Sequence, residues 1–144
     1  MYNNKILYKS SILKSIFLRN GKETQSTKLV DRKDIEVSFN INNFHLDEQY
    51  ILLSKLFSEG NLLITNQYIY IITNNDLISI KNDNIDNILP FIPYTFNEIP
   101  ETFYNVVIYT TQKEEFKLKM IKDDSFNGIL QVFNYIIKIR KQHE

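Results

Sequence analysis

At 144 residues, 43% hydrophobic and 24% charged, the chain has the length of one domain with its own core and the composition of a folded globular protein rather than a disordered one. It has no cysteine, which excludes disulfides, thiolate nucleophiles and cysteine metal sites, and its three glycines, Gly21, Gly60 and Gly128, are too scattered for a phosphate-cradling loop. The net charge of zero conceals a split: residues 1–33 carry eight bases against two acids, net +6, and the rest carries nine bases against fifteen acids, net −6.

Such a split marks either an arm for anionic lipid, nucleic acid or an acidic partner, or an N-terminal segment lying on its own acidic body. The matching magnitudes favour the second. The abundance of Asn, Ile and Lys fits an AT-rich, bacterial genome. No apolar run reaches membrane-spanning length, and the N-terminus lacks the apolar stretch and cleavage site of a secretory signal, so a cytoplasmic location is expected.

Taken in order, residues 10–19 predict a short basic amphipathic helix, with Ile12, Leu13, Ile16 and Phe17 on one stripe, Ser10 or Ser11 as N-cap and Gly21 at its end. Such a helix either packs on the domain, the favoured reading, or lies on a membrane. In residues 35–42, Ile35, Val37, Phe39 and Ile41 alternate with polar residues, which predicts a strand buried on one face. Residues 46–57 fit either a helix capped by Asp47 or a strand from Tyr50, and periodicity does not arbitrate.

The centre of the chain is residues 60–73, where apolar runs at 62–65 and 68–73 flank Asn66-Gln67. This predicts a hairpin on a half-buried sheet with Asn in a left-handed turn, and a further strand at 77–80 makes a meander. The three prolines, Pro90, Pro93 and Pro100, then punctuate an apolar, aromatic connection, because proline is excluded from central strands. It reads either as a loop folded over the mouth of the sheet or as a binding surface. Residues 104–111 and 115–121 form a second hairpin, with Phe116, Leu118 and Met120 facing the core. A helix over 124–141 follows, with Asp123 and Asp124 at its positive end and Lys138, Arg140 and Lys141 at its negative end. Phe126, Ile129, Leu130, Phe133, Ile136 and Ile137 share its main stripe, and Val132, Tyr135 and Ile139 form a second one that needs its own cover.

The stretch Gly60-Asn61-Leu62-Leu63-Ile64-Thr65-Asn66-Gln67-Tyr68-Ile69-Tyr70-Ile71, followed by Ile78-Ser79-Ile80, the isoleucines at 85 and 88, the last hairpin and the final helix, resembles the pleckstrin-homology-like superfamily, particularly bacterial PH-like and GRAM-type domains. The resemblance covers residues 44–141 and implies a mainly β, α+β domain: a partly open antiparallel barrel or two packed sheets closed by the C-terminal helix. It favours a strand over 50–57, with the domain at 34–144 and residues 1–33 as a basic segment packed on it. Superfamily members often bind phosphoinositides through clustered cations on the first strands. Here Lys55 and Lys81 stand alone among Glu59, Asp76, Asp83 and Asp86, so no phosphoinositide site is expected.

No catalytic constellation emerges. His45 beside Asp47 and Glu48 lacks a second histidine, Asp123-Asp124 are explained by a helix N-terminus, and Ser125 has neither a histidine partner nor a glycine-flanked elbow. Tyr68 and Tyr70 alternate as RNA-stacking residues do, but sheet packing is the commoner use, and no nucleic-acid partner is expected. The expectation is a non-enzymatic protein-interaction or self-associating domain without cofactor or metal. Its candidate surfaces are the proline loop (Phe91, Ile92, Tyr94, Phe96) and the second helix stripe (Val132, Tyr135, Ile139). The alternative is weak contact with anionic membranes through the basic helix and the proline loop.

Overall fold

Both apolar runs of the 60–73 stretch are strands. The computed structural model describes residues 8–45, 47–57, 59–90 and 103–143. In it β2 (Tyr50–Lys55), β3 (Asn61–Thr65), β4 (Tyr68–Ile72) and β5 (Leu77–Lys81) form an antiparallel meander, and β1 (Thr27–Leu29) pairs with the outer edge of β2. A second antiparallel sheet holds β6 (Ile85–Pro90), β7 (Phe103–Thr110) and β8 (Glu115–Ile121). Helices α1 (Ser10–Asn20), α2 (Arg32–Ser38) and α3 (Phe126–Gln142) complete an α+β fold of two open sheets with a C-terminal helix. The sheets meet at a corner, where Leu56 bridges to Met120 and the Phe57 N–H donates to the Lys119 carbonyl at 2.9 Å. Among the described residues they do not close a barrel.

The main core lies between the sheets and beneath α3. Leu62, Ile64, Ile69 and Ile71 of the first sheet share it with Val106, Ile108, Leu118 and Met120 of the second, and with Ile129, Phe133, Ile136 and Ile137 of α3. The predicted main stripe of the last helix and the inward face of β8 are therefore as read.

The central strands are buried on both faces rather than half-buried. Leu63 and Tyr70 point away from the main core into a second apolar cluster with Val30, Ile35, Phe44 and Tyr50. Residues between β1 and β2 thus roof the outer face of the five-stranded sheet. Unbroken apolar runs are what strands covered on both sides look like in sequence.

That roof contains the clearest departure from expectation. Residues 35–42 do not form a strand. The Asp31 carboxylate accepts from the Asp34 N–H at 3.0 Å, the Asp34 carboxylate accepts from the Asp31 N–H at 2.9 Å, and this capping box starts α2. Arg32 and Glu36 add an i,i+4 pair at 2.7 Å. Ile35 is fully buried while Val37 is 88% exposed, and Phe39 and Ile41 reach the second cluster from beyond the helix end. The alternation is real in sequence, but local capping and one buried anchor decide the conformation.

Smaller corrections concern caps and turns. Lys9, not Ser10 or Ser11, occupies the α1 N-cap, without a side-chain bond. Gly21 does end α1, its N–H donating to the Phe17 carbonyl at 2.8 Å, in extended rather than left-handed backbone. Asn66 is not left-handed. Instead the Thr65 hydroxyl accepts from the N–H groups of Gln67 and Tyr68 at 3.1 and 2.8 Å and closes the turn. The glycine that is required is Gly60, at φ 110°, where a β-carbon would stand 2.6 Å from the Ile72 carbonyl oxygen.

Candidate functional site

Of the residues predicted to form an interaction surface, Phe91, Ile92, Tyr94 and Phe96 lie outside the described residues. Val132 is fully buried in the main core, and Tyr135 and Ile139 are partly buried against it. Helix α1 packs on α3 and contributes Leu13 and Phe17, both fully buried. Val132 is therefore core, in one apolar cluster with Leu13 and Phe17 of α1.

The described residues do present an exposed aromatic rim where the sheets meet. Phe57, 47% exposed just after β2, stacks on Phe103 at the start of β7 with ring centroids 4.5 Å apart. The Lys119 ammonium sits 5.3 Å from the Phe103 centroid. On the other face of the same strand end, Tyr104, 37% exposed, stacks on Phe126 of α3 at 4.2 Å, and the Lys122 ammonium lies 5.0 Å from the Tyr104 ring. Successive residues of a strand point to opposite faces, so Phe103 and Tyr104 carry the rim around both sides of β7. Stacked pairs with a cation over the ring hold their side chains in place, which lowers the entropy lost on binding.

A polar cluster that the sequence did not reveal sits on the outer side of the first sheet. The Tyr70 hydroxyl donates to Glu48 Oε2 at 2.6 Å and lies 2.8 Å from His45 Nδ1, and the Thr65 hydroxyl donates to Glu48 Oε1 at 2.6 Å. Because the single Tyr70 proton points to the carboxylate, Nδ1 is the donor of the His45 contact. The His45 ring stacks flat on Tyr68 at 3.8 Å. Burial first, and the hydrogen bond to Glu48 second, push the Tyr70 phenol well above its ordinary value, so it stays neutral. This arrangement ties the roof to the sheet, with Tyr70 packed edge-on against Phe44 at 4.9 Å. Among the described residues no group of three or more His, Cys, Asp or Glu side chains is placed to hold a metal ion.

A third cluster joins the N-terminal segment to α3. The Asp123 carboxylate accepts from the hydroxyls of Thr24, Ser26 and Ser125 and from the Ser125 N–H. Buried hydroxyls continue the chain, from Ser125 to Thr27 at 2.9 Å and on to Ser54 at 2.7 Å. Ser125 is a link in this tie, with no histidine beside it. Arg140, read from sequence as a cation at the negative end of the helix, is only 5% exposed. Its Nε donates to the Ile85 carbonyl at 2.8 Å and its Nη2 to Asp86 at 3.0 Å, which pins the end of α3 to β6. The spacing of Phe133, Ile136, Ile137 and Arg140 along one helical face was the signal available for it.

No protein-family model matches the chain, and no curated protein matches it. The class is accordingly defined by architecture: among the described residues, an α+β fold of five- and three-stranded sheets with an exposed aromatic rim.

Proposed function

We propose that the chain is a non-catalytic, cytoplasmic interaction domain of the pleckstrin-homology-like kind, and that a protein partner docks on the rim built by Phe57, Phe103, Tyr104 and Phe126. The succession of a meander over β2–β5, a three-stranded meander over β6–β8 and a closing helix supports the resemblance seen in sequence. The observation that carries the docking surface is the exposed, stacked Phe57–Phe103 pair. Aromatic side chains of this kind supply much of the binding energy at protein interfaces.

The test is a photo-crosslinking residue placed at Phe57 in the 144-residue chain, with Val37, exposed on α2, as control. A discrete protein adduct from position 57 and none from 37 is the expected result. Lipid adducts or none from position 57 would remove the reading.

Lys119 and Lys122 over the rings favour one alternative, contact with an anionic membrane, where aromatics and lysines meet headgroups. Under that reading, phosphatidylserine vesicles co-sediment the chain, and Lys119→Glu with Lys122→Glu abolishes it.

A further inference from the structure

Beside the rim, the gap between the two sheets leaves a cleft of about 320 Å³. Its floor is the edge of the main core: Leu56, Ile71, Val106 and Leu118, each no more than 8% exposed in the protein surface. Its lip carries Lys117 and Lys119 of β8, whose outward register follows from the alternation that turns Leu118 inward. Glu59 is the single acid among the lining residues, and the Asn105 amide adds a neutral donor. The lip is thus locally positive on a body whose residues 34–144 sum to −6. The volume lies at the small end of the range for ligand pockets, roughly 300–1,000 Å³.

An apolar floor under a cationic lip calls for a ligand with an apolar tail and one anionic head. A multiply charged headgroup would need more converging cations than two lysines that share the cleft lining with Glu59. A neutral apolar ligand would gain nothing from the positive lip, and a small hydrophilic anion would gain nothing from the floor. Lys119 is held near the lip by its position over Phe103.

We propose that this cleft binds a small amphipathic monoanion of the medium-chain carboxylate class. The carboxylate lies against the ammonium groups of Lys119 and Lys117 and the Asn105 amide, and the chain runs over Leu56, Ile71, Val106 and Leu118. This goes beyond the docking of a protein on the rim, and either assignment can fail while the other stands.

The experiment is a methyl and amide NMR titration of the 144-residue chain with decanoate below its micellar concentration, with acetate and decanol as head-only and tail-only controls. Saturable shifts centred on Leu56, Ile71, Val106 and Leu118 are expected with decanoate, and at least tenfold weaker binding with either control. Lys117→Glu combined with Lys119→Glu should weaken decanoate binding at least tenfold at unchanged melting temperature. If charge reversal lowers the melting temperature, Lys117→Gln with Lys119→Gln takes its place and should show the same loss. Shifts that do not saturate, decanol binding as tight as decanoate, or unchanged binding by the folded lysine variant would each overturn the proposal. The crosslink at Phe57 is read separately, so a negative titration leaves the protein-docking reading standing.

Discussion

Asp123 receives donors from both ends of the chain, and its ionisation sets part of the acid stability. Burial alone would raise its carboxyl, but the hydrogen bonds from Ser125, Ser26 and Thr24 outweigh it and hold the group below the ordinary carboxylate range. With the folded value depressed, the unfolded chain binds the proton first as pH falls. The contribution is therefore complete above the unfolded value near about pH 4 and is lost as pH drops through the folded one. Asp123→Asn should cost on the order of 1–3 kcal/mol at pH 7, because an amide oxygen cannot receive all the hydroxyls. Urea unfolding at pH 7 and pH 3 should show a smaller loss of stability on acidification for the variant. Equal acid sensitivity in the two proteins would exclude the role. The sequence placed Asp123 at a helix start, whereas α3 begins three residues later with no acid in its first turn, and it could not supply the partners Thr24 and Ser26, which stand 99 and 97 residues away. His45 and Tyr70 repeat the point across 25 residues: each looked ordinary alone, and only the sheet brings them to 2.8 Å.

Elements were legible wherever one face of a segment met one core. The last hairpin and α3 carry clean periodicities, and the observed strands and helix follow them. At α2 an apolar alternation competed with a capping box and lost, and the unbroken apolar runs of β3 and β4 carry the mark of cover on both faces without saying that residues 30–45 supply it. The crossing of α1 and α3 was also hidden. At Gly128 a β-carbon would stand 2.8 Å from both the Phe17 ring and the Phe17 carbonyl oxygen, and at Gly21 it would stand 3.0 Å from Gly128 N. On an ordinary helix surface Gly→Ala stabilises by about 0.5–1 kcal/mol. Here the sign should reverse: Gly128→Ala forces backbone apart and should cost roughly 1–3 kcal/mol in chemical denaturation. A variant as stable as the parent would mean the two helices are not in contact.

At the scale of the whole molecule, the charge split suggests an N-terminal segment held by electrostatics, but the contacts assign that role to apolar packing. The ion pair between Lys22 and Asp124, at 3.3 Å, joins two largely exposed side chains, and such pairs contribute little. Leu13 and Phe17 are instead wholly buried in the core that contains Val132, and a large buried side chain contributes about 1.5–3 kcal/mol. The second stripe of α3 is thus apolar and shares one core with the buried residues of α1. The 144-residue chain should scatter light as a monomer over a wide concentration range, with a melting temperature that added salt barely moves. A chain starting at residue 23 loses both anchors and uncovers Val132, Tyr135 and Ile139. It should either associate or lose its cooperative transition, and Tyr135→Lys in that shortened chain should reduce the association. A shortened chain that stays monomeric and melts cooperatively at the parent temperature would show that α1 is an ornament on the domain, and the second stripe would again need another cover.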